Sequence, residues 1–216
     1  FVWIGGTNRD DGQVLKFTRA GEFVMQIGHR GGSAGVANTA QLGRAANLFV
    51  DAVTNELYVA DGYGNRRIIV FDVDGGKFKR MWGAYGNPPV NRRPDALDNF
   101  IQSDPHDPKD QPSPHFNSPI HCVIISSDRL VYVCDRTNNR VQVFHTSGQF
   151  VREFFFERAS ERGGLVTDLS LWPDADQTYL LAGDGNNQEV LVLRRRDGKI
   201  VSRFGRAGRG SGEFEL

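Results

Sequence analysis

Five histidines and two cysteines limit the places where this chain can hold a metal ion or move a proton near neutral pH. His121 stands in Asn117-Ser-Pro-Ile-His121-Cys-Val-Ile-Ile125, an apolar run that reads as a short strand, fourteen positions before Asp135. Counting fourteen back from Asp61 reaches Asn47, and a looser match puts Asp168 or a neighbour at the same point, so a polar side chain is expected there each time. An imidazole so placed can ligate zinc as a neutral ring, or can simply bond backbone or water. Asp104, His106, Asp107, Asp110 and His115 are a second set of metal donors. The prolines between them prevent a regular element from presenting them together, so a solvated loop is expected there. His29, beside Gly28, and His145, after Phe144, read as loop and strand-edge residues. Arg194-Arg-Arg196 with Arg203, Arg206 and Arg209 makes a local basic patch, expected to be a solvated face.

The elements that must position these residues are repeats. Leu57-Tyr-Val-Ala-Asp61-Gly-Tyr-Gly-Asn-Arg-Arg67-Ile-Ile-Val-Phe71 matches Val131-Tyr-Val-Cys-Asp135-Arg-Thr-Asn-Asn-Arg140-Val-Gln-Val-Phe144. A looser copy runs from Tyr179 through Asp184 to Leu193, and a partial one from Val2 to Phe17. Each copy then turns at a glycine (Gly21, Gly76, Gly148, Gly198) into another strand. Short alternating strands broken by Asp, Asn and Gly turns cannot bury their apolar face alone, and stacking four-stranded blades about an axis solves both burial and edge exposure. The fold class is therefore all-β, a β-propeller of which this chain covers about four blades. Asp61 with Asn65, and Asp135 with Asn139, suit turns that bond their own backbone. A strand such as Arg140–Phe144 is expected to bury one face between blades.

Residues 1–216 read as a single propeller domain, interrupted by a Pro-rich insertion between blades at 87–114. Three units and a part-unit are fewer than a closed ring, so a fragment of a longer propeller is expected. Charges balance, with 26 Lys plus Arg against 26 Asp plus Glu, which argues against nucleic acid or an anionic membrane as partner. No stretch approaches the length of a membrane span and no secretion signal is visible at Phe1. Cys122 and Cys134 suit a single bridge in an oxidising compartment without fixing that compartment.

The Tyr-Val-Ala-Asp and Asn-Asn-Arg-Val-Gln-Val-Phe phrases resemble the NHL repeat of six-bladed propellers. Three further segments, in order, are similar to the peptidyl-α-hydroxyglycine α-amidating lyase family: Asp61-Gly-Tyr63, Pro119-Ile-His121 and Asp135-Arg136. That resemblance implies zinc held by three histidines from alternate blades, of which this chain would supply His121, with the other two lying before Phe1 and after Leu216. It implies Tyr63 as the catalytic base, Arg136 as an active-site cation able to fork onto a substrate carboxylate, and structural calcium as a further cofactor candidate. A phenol is a weak base near neutrality, so this role asks for zinc or Arg136 beside it. The implied reaction splits a peptidyl-α-hydroxyglycine, or a similar carbinolamide, into an amide and glyoxylate, and the implied localisation is extracytoplasmic. Gly64 and the two cysteines depart from the family's disulfide pattern. On the residues alone, Asp-Gly-Tyr can be a turn with an exposed aromatic, and Arg136 can cap that turn or pair with Asp135. The alternative function is a non-catalytic NHL propeller whose channel mouth binds a peptide, a small molecule or a protein partner.

Overall fold

A computed structural model describes residues 1–91, 112–157 and 165–215. Among these residues four antiparallel sheets follow one another. Blade one has three strands, β1 (Val2–Gly5), β2 (Gln13–Phe17) and β3 (Phe23–Gly28). Blade two is β4 (Asn47–Asp51), β5 (Glu56–Asp61), β6 (Arg67–Asp72) and β7 (Phe78–Trp82). Blade three is β8 (Ile120–Ile125), β9 (Leu130–Asp135), β10 (Arg140–His145) and β11 (Phe150–Phe155). Blade four is β12 (Val166–Leu171), β13 (Tyr179–Asp184), β14 (Glu189–Arg194) and β15 (Lys199–Phe204). Within each sheet the strands lie side by side in chain order, the meander of a propeller blade.

The apolar cores lie between blades. Val14, Leu57, Ile69 and Phe71 join blades one and two. Tyr58, Ile68, Trp82, Ile120, Val123 and Phe144 join two and three, and Tyr132, Val141, Phe154, Leu180 and Leu191 join three and four. One expectation is revised here. Every residue of Arg140–Phe144 is buried, the polar ones included, because a blade between two neighbours has no solvent face. Gln142 is accommodated by accepting from Tyr85 N at 3.1 Å and donating to Glu153 at 3.0 Å, as a buried amide must.

The recurring Asp does more than shape its own turn. Asp61 Oδ1 accepts from Gly43 N at 2.7 Å, Asp135 Oδ1 from Asn117 N at 3.0 Å and Asp184 Oδ1 from Leu165 N at 3.2 Å. Each carboxylate thus pins the segment that leads into the first strand of its own blade. An arginine opposite the Asp completes the latch in two blades. Arg67 Nε meets Asp61 at 2.8 Å, and its other nitrogens reach the carbonyls of Val36, Asn38 and Gln41. Arg140 Nε meets Asp135 at 2.7 Å and reaches the carbonyls of Ser113 and His115. Both arginines are completely buried. In blade four Glu189 occupies that register position opposite Asp184 and pairs instead with Arg203 at 2.8 Å.

On the opposite edge the blades are tied by ion pairs, Arg129 to Asp51 and Arg195 to Asp128. The arginines of blade four are similarly matched: Arg194 with Asp197, Arg203 with Glu157, Arg206 with Glu213 and Arg209 with Glu215. The basic patch seen in the sequence is therefore threaded with carboxylates.

Candidate functional site

Antiparallel meanders bring the start of the first strand, the end of the second and the loop into the third to one edge of every blade. At that edge the Asp61-Gly62-Tyr63-Gly64 turn of blade two approaches the start of β8. A Cβ on Gly62 would lie 2.0 Å from Ile120 O, and one on Gly64 would lie 2.5 Å from Gly43 O. Only glycine permits this approach of backbones, and it carries Tyr63 across the gap between blades.

His121 is presented by a defect in the sheet. Ile120 pairs with Asp135 and Cys122 with Cys134, which leaves His121 as the extra residue of a β-bulge. A bulge re-aims one side chain at a blade rim without disturbing the rest of the strand. Thr167 is the corresponding extra residue of β12, between Val166 opposite Asp184 and Asp168 opposite Gly183. The first strand pair of blade two, β4 with β5, has no bulge, and Asn47 pairs with Ala60. In register, Asn47 therefore matches Cys122 rather than His121, and the polar position counted along the sequence does not recur at one level. The Asn47 side chain instead accepts from Val123 N at 3.3 Å.

Two of the three residues singled out in the sequence meet directly. Tyr63 Oη lies 3.0 Å from His121 Nε2, with the rings edge to face and their centroids 5.8 Å apart. On its other side His121 Nδ1 lies 2.5 Å from Thr167 O. A carbonyl only accepts, so Nδ1 carries the proton and Nε2 offers its lone pair to the Tyr63 hydroxyl. Burial pushes the His121 pKa down, and the Arg136 charge lowers it further against the opposing pull of Thr167 O and Asp168. Half-buried His121 is thus a neutral imidazole with a fixed tautomer. Arg136 opens the short helical turn Arg136–Asn138, and its Nε is buried with no hydrogen-bond partner among the described residues. It does not pair with Asp135, whose carboxylate is occupied by Asn117 N, Asn138 and Arg140.

The donor chemistry of His121 suits zinc. A ring nitrogen donating to a carbonyl while the other keeps its lone pair is the usual outer-shell arrangement of a metal-ligating histidine. Among the described residues, however, no three His, Cys, Asp or Glu side chains converge to hold a metal ion. Asp104, His106, Asp107 and Asp110, in the Pro-rich insertion, lie outside the described residues. His115 is exposed and serves through its carbonyl, which accepts from Arg140 at 2.9 Å. His29 turns into its own loop, with Nδ1 3.0 Å from Arg30 O, and His145 is exposed at the end of β10.

Thr167 was invisible to sequence reasoning because it acts through its carbonyl. The disulfide between Cys122 and Cys134, by contrast, follows from the hairpin, since both residues are equidistant from the turn that joins β8 to β9.

The NHL repeat model matches residues 117–144, the heart of blade three. The chain is 31% identical over 163 residues to peptidyl-glycine alpha-amidating monooxygenase B of Xenopus laevis, a match that takes in 73% of this chain and 16% of that protein. It is 30% identical over 149 residues to human NHL repeat-containing protein 3, covering 66% of this chain and 35% of that one. In structure it is similar to a protein of unknown function from Bacteroides caccae, with a TM-score of 0.54 at 12% identity, over 93% of this chain and 60% of that one. This is a likeness of fold alone.

Proposed function

From the premise that this chain is an NHL-repeat β-propeller similar to an amidating monooxygenase and to NHL repeat-containing protein 3, we propose that it carries part of the active site of a zinc-dependent lyase cleaving a peptidyl-α-hydroxyglycine or a similar carbinolamide. The observation that carries this reading is the contact of Tyr63 Oη with His121 Nε2 across two blades, beside the unmatched Nε of Arg136. His121 is the residue of this chain that would hold zinc, with the remaining ligands coming from residues other than those described. Zinc in such a place supplies Lewis acidity that lowers the pKa of a bound hydroxyl.

The single lone pair of Nε2 serves either Tyr63 or a metal, so metal binding would turn the Tyr63 hydroxyl toward the substrate. Having lost its own proton to solvent, the Tyr63 phenolate would take the proton of the substrate hydroxyl and return it to the departing amide nitrogen. The C–N bond breaks as the carbonyl of glyoxylate forms, and the amide nitrogen leaves with a proton. Arg136 is suited to fork onto the glycine carboxylate, because its buried Nε has no hydrogen-bond partner among the described residues. The test is metal analysis of the protein together with glyoxylate release from a peptidyl-α-hydroxyglycine. About one zinc per chain, lost in His121→Ala, with glyoxylate formation lost in parallel, supports the lyase. Absence of both metal and cleavage overturns it and leaves a binding propeller.

A further inference from the structure

The two β-bulges at the site are each locked across the sheet, and by different chemistry. In blade four the extra residue locks itself, Thr167 Oγ1 donating to Gly183 O at 3.1 Å, one residue before Asp184. In blade three the residue after the bulge, Cys122, is joined to Cys134, one residue before Asp135, with Cα atoms 4.9 Å apart. Blade two has neither bulge nor cross-link at this level, where Asn47 faces Ala60. Both cysteines are completely buried.

We infer that the Cys122–Cys134 disulfide is a positioning device for His121. A bulge can migrate, because moving the extra residue by one place exchanges which side chain points out of the sheet. If the bulge moved one place along β8, His121 would join the ladder and leave Tyr63 and Thr167. A covalent link at the next pair bars the bulge from moving toward the β8–β9 turn, because Cys122 would then be the extra residue and could no longer face Cys134. The same bond ties β8, which bears His121, to β9, which runs through Asp135 into Arg136. The cross-link therefore sits between the two groups whose relative placement the site requires. Thr167 Oγ1 fixes the facing bulge in blade four, so that the carbonyl meeting His121 Nδ1 is itself held.

The test compares the protein with its Cys122→Ala/Cys134→Ala and Cys122→Val/Cys134→Ala variants, the second filling more of the vacated volume. Spectra of 15N-labelled histidine report which ring nitrogen of His121 carries the proton. The expected result is a folded variant, judged by circular dichroism and cooperative unfolding, in which the single Nδ1-protonated signal is lost or doubled. The activity arm alone rests on the lyase reading, and there glyoxylate release should fall about 10-fold or more, as for other groups that orient a ligand histidine. Should the protein show no cleavage at all, the lyase reading fails while the histidine spectra still decide the positioning role. An unchanged His121 signal in a folded variant of lowered stability would show that the bond only stabilises the blade. Failure of both variants to fold would likewise overturn the inference, since the bond would then be needed for the blade itself.

Discussion

Replacing Arg140 by methionine should cost far more than its place in a strand suggests. The guanidinium is completely buried and binds Asp135 at 2.7 Å, Tyr85 Oη at 2.9 Å, Glu153 at 3.2 Å and the carbonyls of Ser113 and His115 at 2.9 Å each. Methionine keeps much of the volume but leaves the Asp135 carboxylate uncompensated. Breaking a buried pair in this way costs about 3–5 kcal/mol. Part of the polar loss is cushioned, because Asn138 Nδ2 still donates to His115 O at 3.1 Å, so about 4 kcal/mol is the expectation. Burial already pushes the Asp135 pKa up against the opposing charge of Arg140, and removing that charge raises it further. A raised folded pKa gives stability that is present below the unfolded value and lost as pH rises. The deficit should therefore be larger at pH 7 than near pH 4. Urea denaturation at the two pH values, with unchanged m, is the measurement. In the double variant Asp135→Asn/Arg140→Met the loss should be smaller than the sum of the single losses, because no buried charge is left alone. In blade four, where Glu189 holds the register of Arg140, Arg203→Ala should cost under about 1 kcal/mol, because its carboxylate partners are met at the surface. A loss below about 1 kcal/mol for Arg140→Met, or strict additivity in the double variant, would refute the latch.

Tyr63→Phe keeps the edge-to-face packing but removes the hydroxyl at His121, so hydroxyglycine cleavage should drop at least about 100-fold with bound zinc retained; steady-state kinetics and metal analysis check this. Gly62→Ala should destabilise by about 3 kcal/mol in urea denaturation, because its methyl would meet the backbone of Ile120. Acid should weaken both the contact between blades two and three and the interior of blade two: Arg129 holds the Asp51 carboxyl at about 2, down from 3.8, and within blade two Arg80 holds Glu56 at about 2, down from 4.5. Lowered folded pKa values give stability that is complete above the unfolded values and lost as pH falls through 4 toward 2; between pH 7 and pH 3 the urea midpoints should report a loss of about 1 kcal/mol for Asp51 and about 2 kcal/mol for Glu56.

The repeats were readable because a blade's turns and apolar strands are local, and every copy carries its own Asp and Gly. Gln142 and Arg140 looked like the outward side of an alternating strand, yet both are buried, since the second face of a blade is covered by residues distant in sequence. The arginine recurring opposite the repeat Asp was present in two copies as plainly as the Asp itself. Its role went unread because the carbonyls it binds belong to the lead-in segments, whose course is set by neighbouring blades.

His121 could be named from its place in the repeat, Tyr63 and Arg136 only through the resemblance to the amidating-lyase family, and the antiparallel meander alone puts their segments at one edge. Their contact could not. Counting residues matched His121 with Asn47, whereas pairing matches Cys122 with Asn47, because a bulge adds one residue that no spacing rule reveals. The hydrogen bond that fixes the His121 tautomer comes from a backbone carbonyl, and a carbonyl has no letter in a sequence. Local chemistry is written in residue types; the meeting of Tyr63, His121 and Thr167 from three successive blades depends on strand register and blade packing, which exist only once the chain has folded.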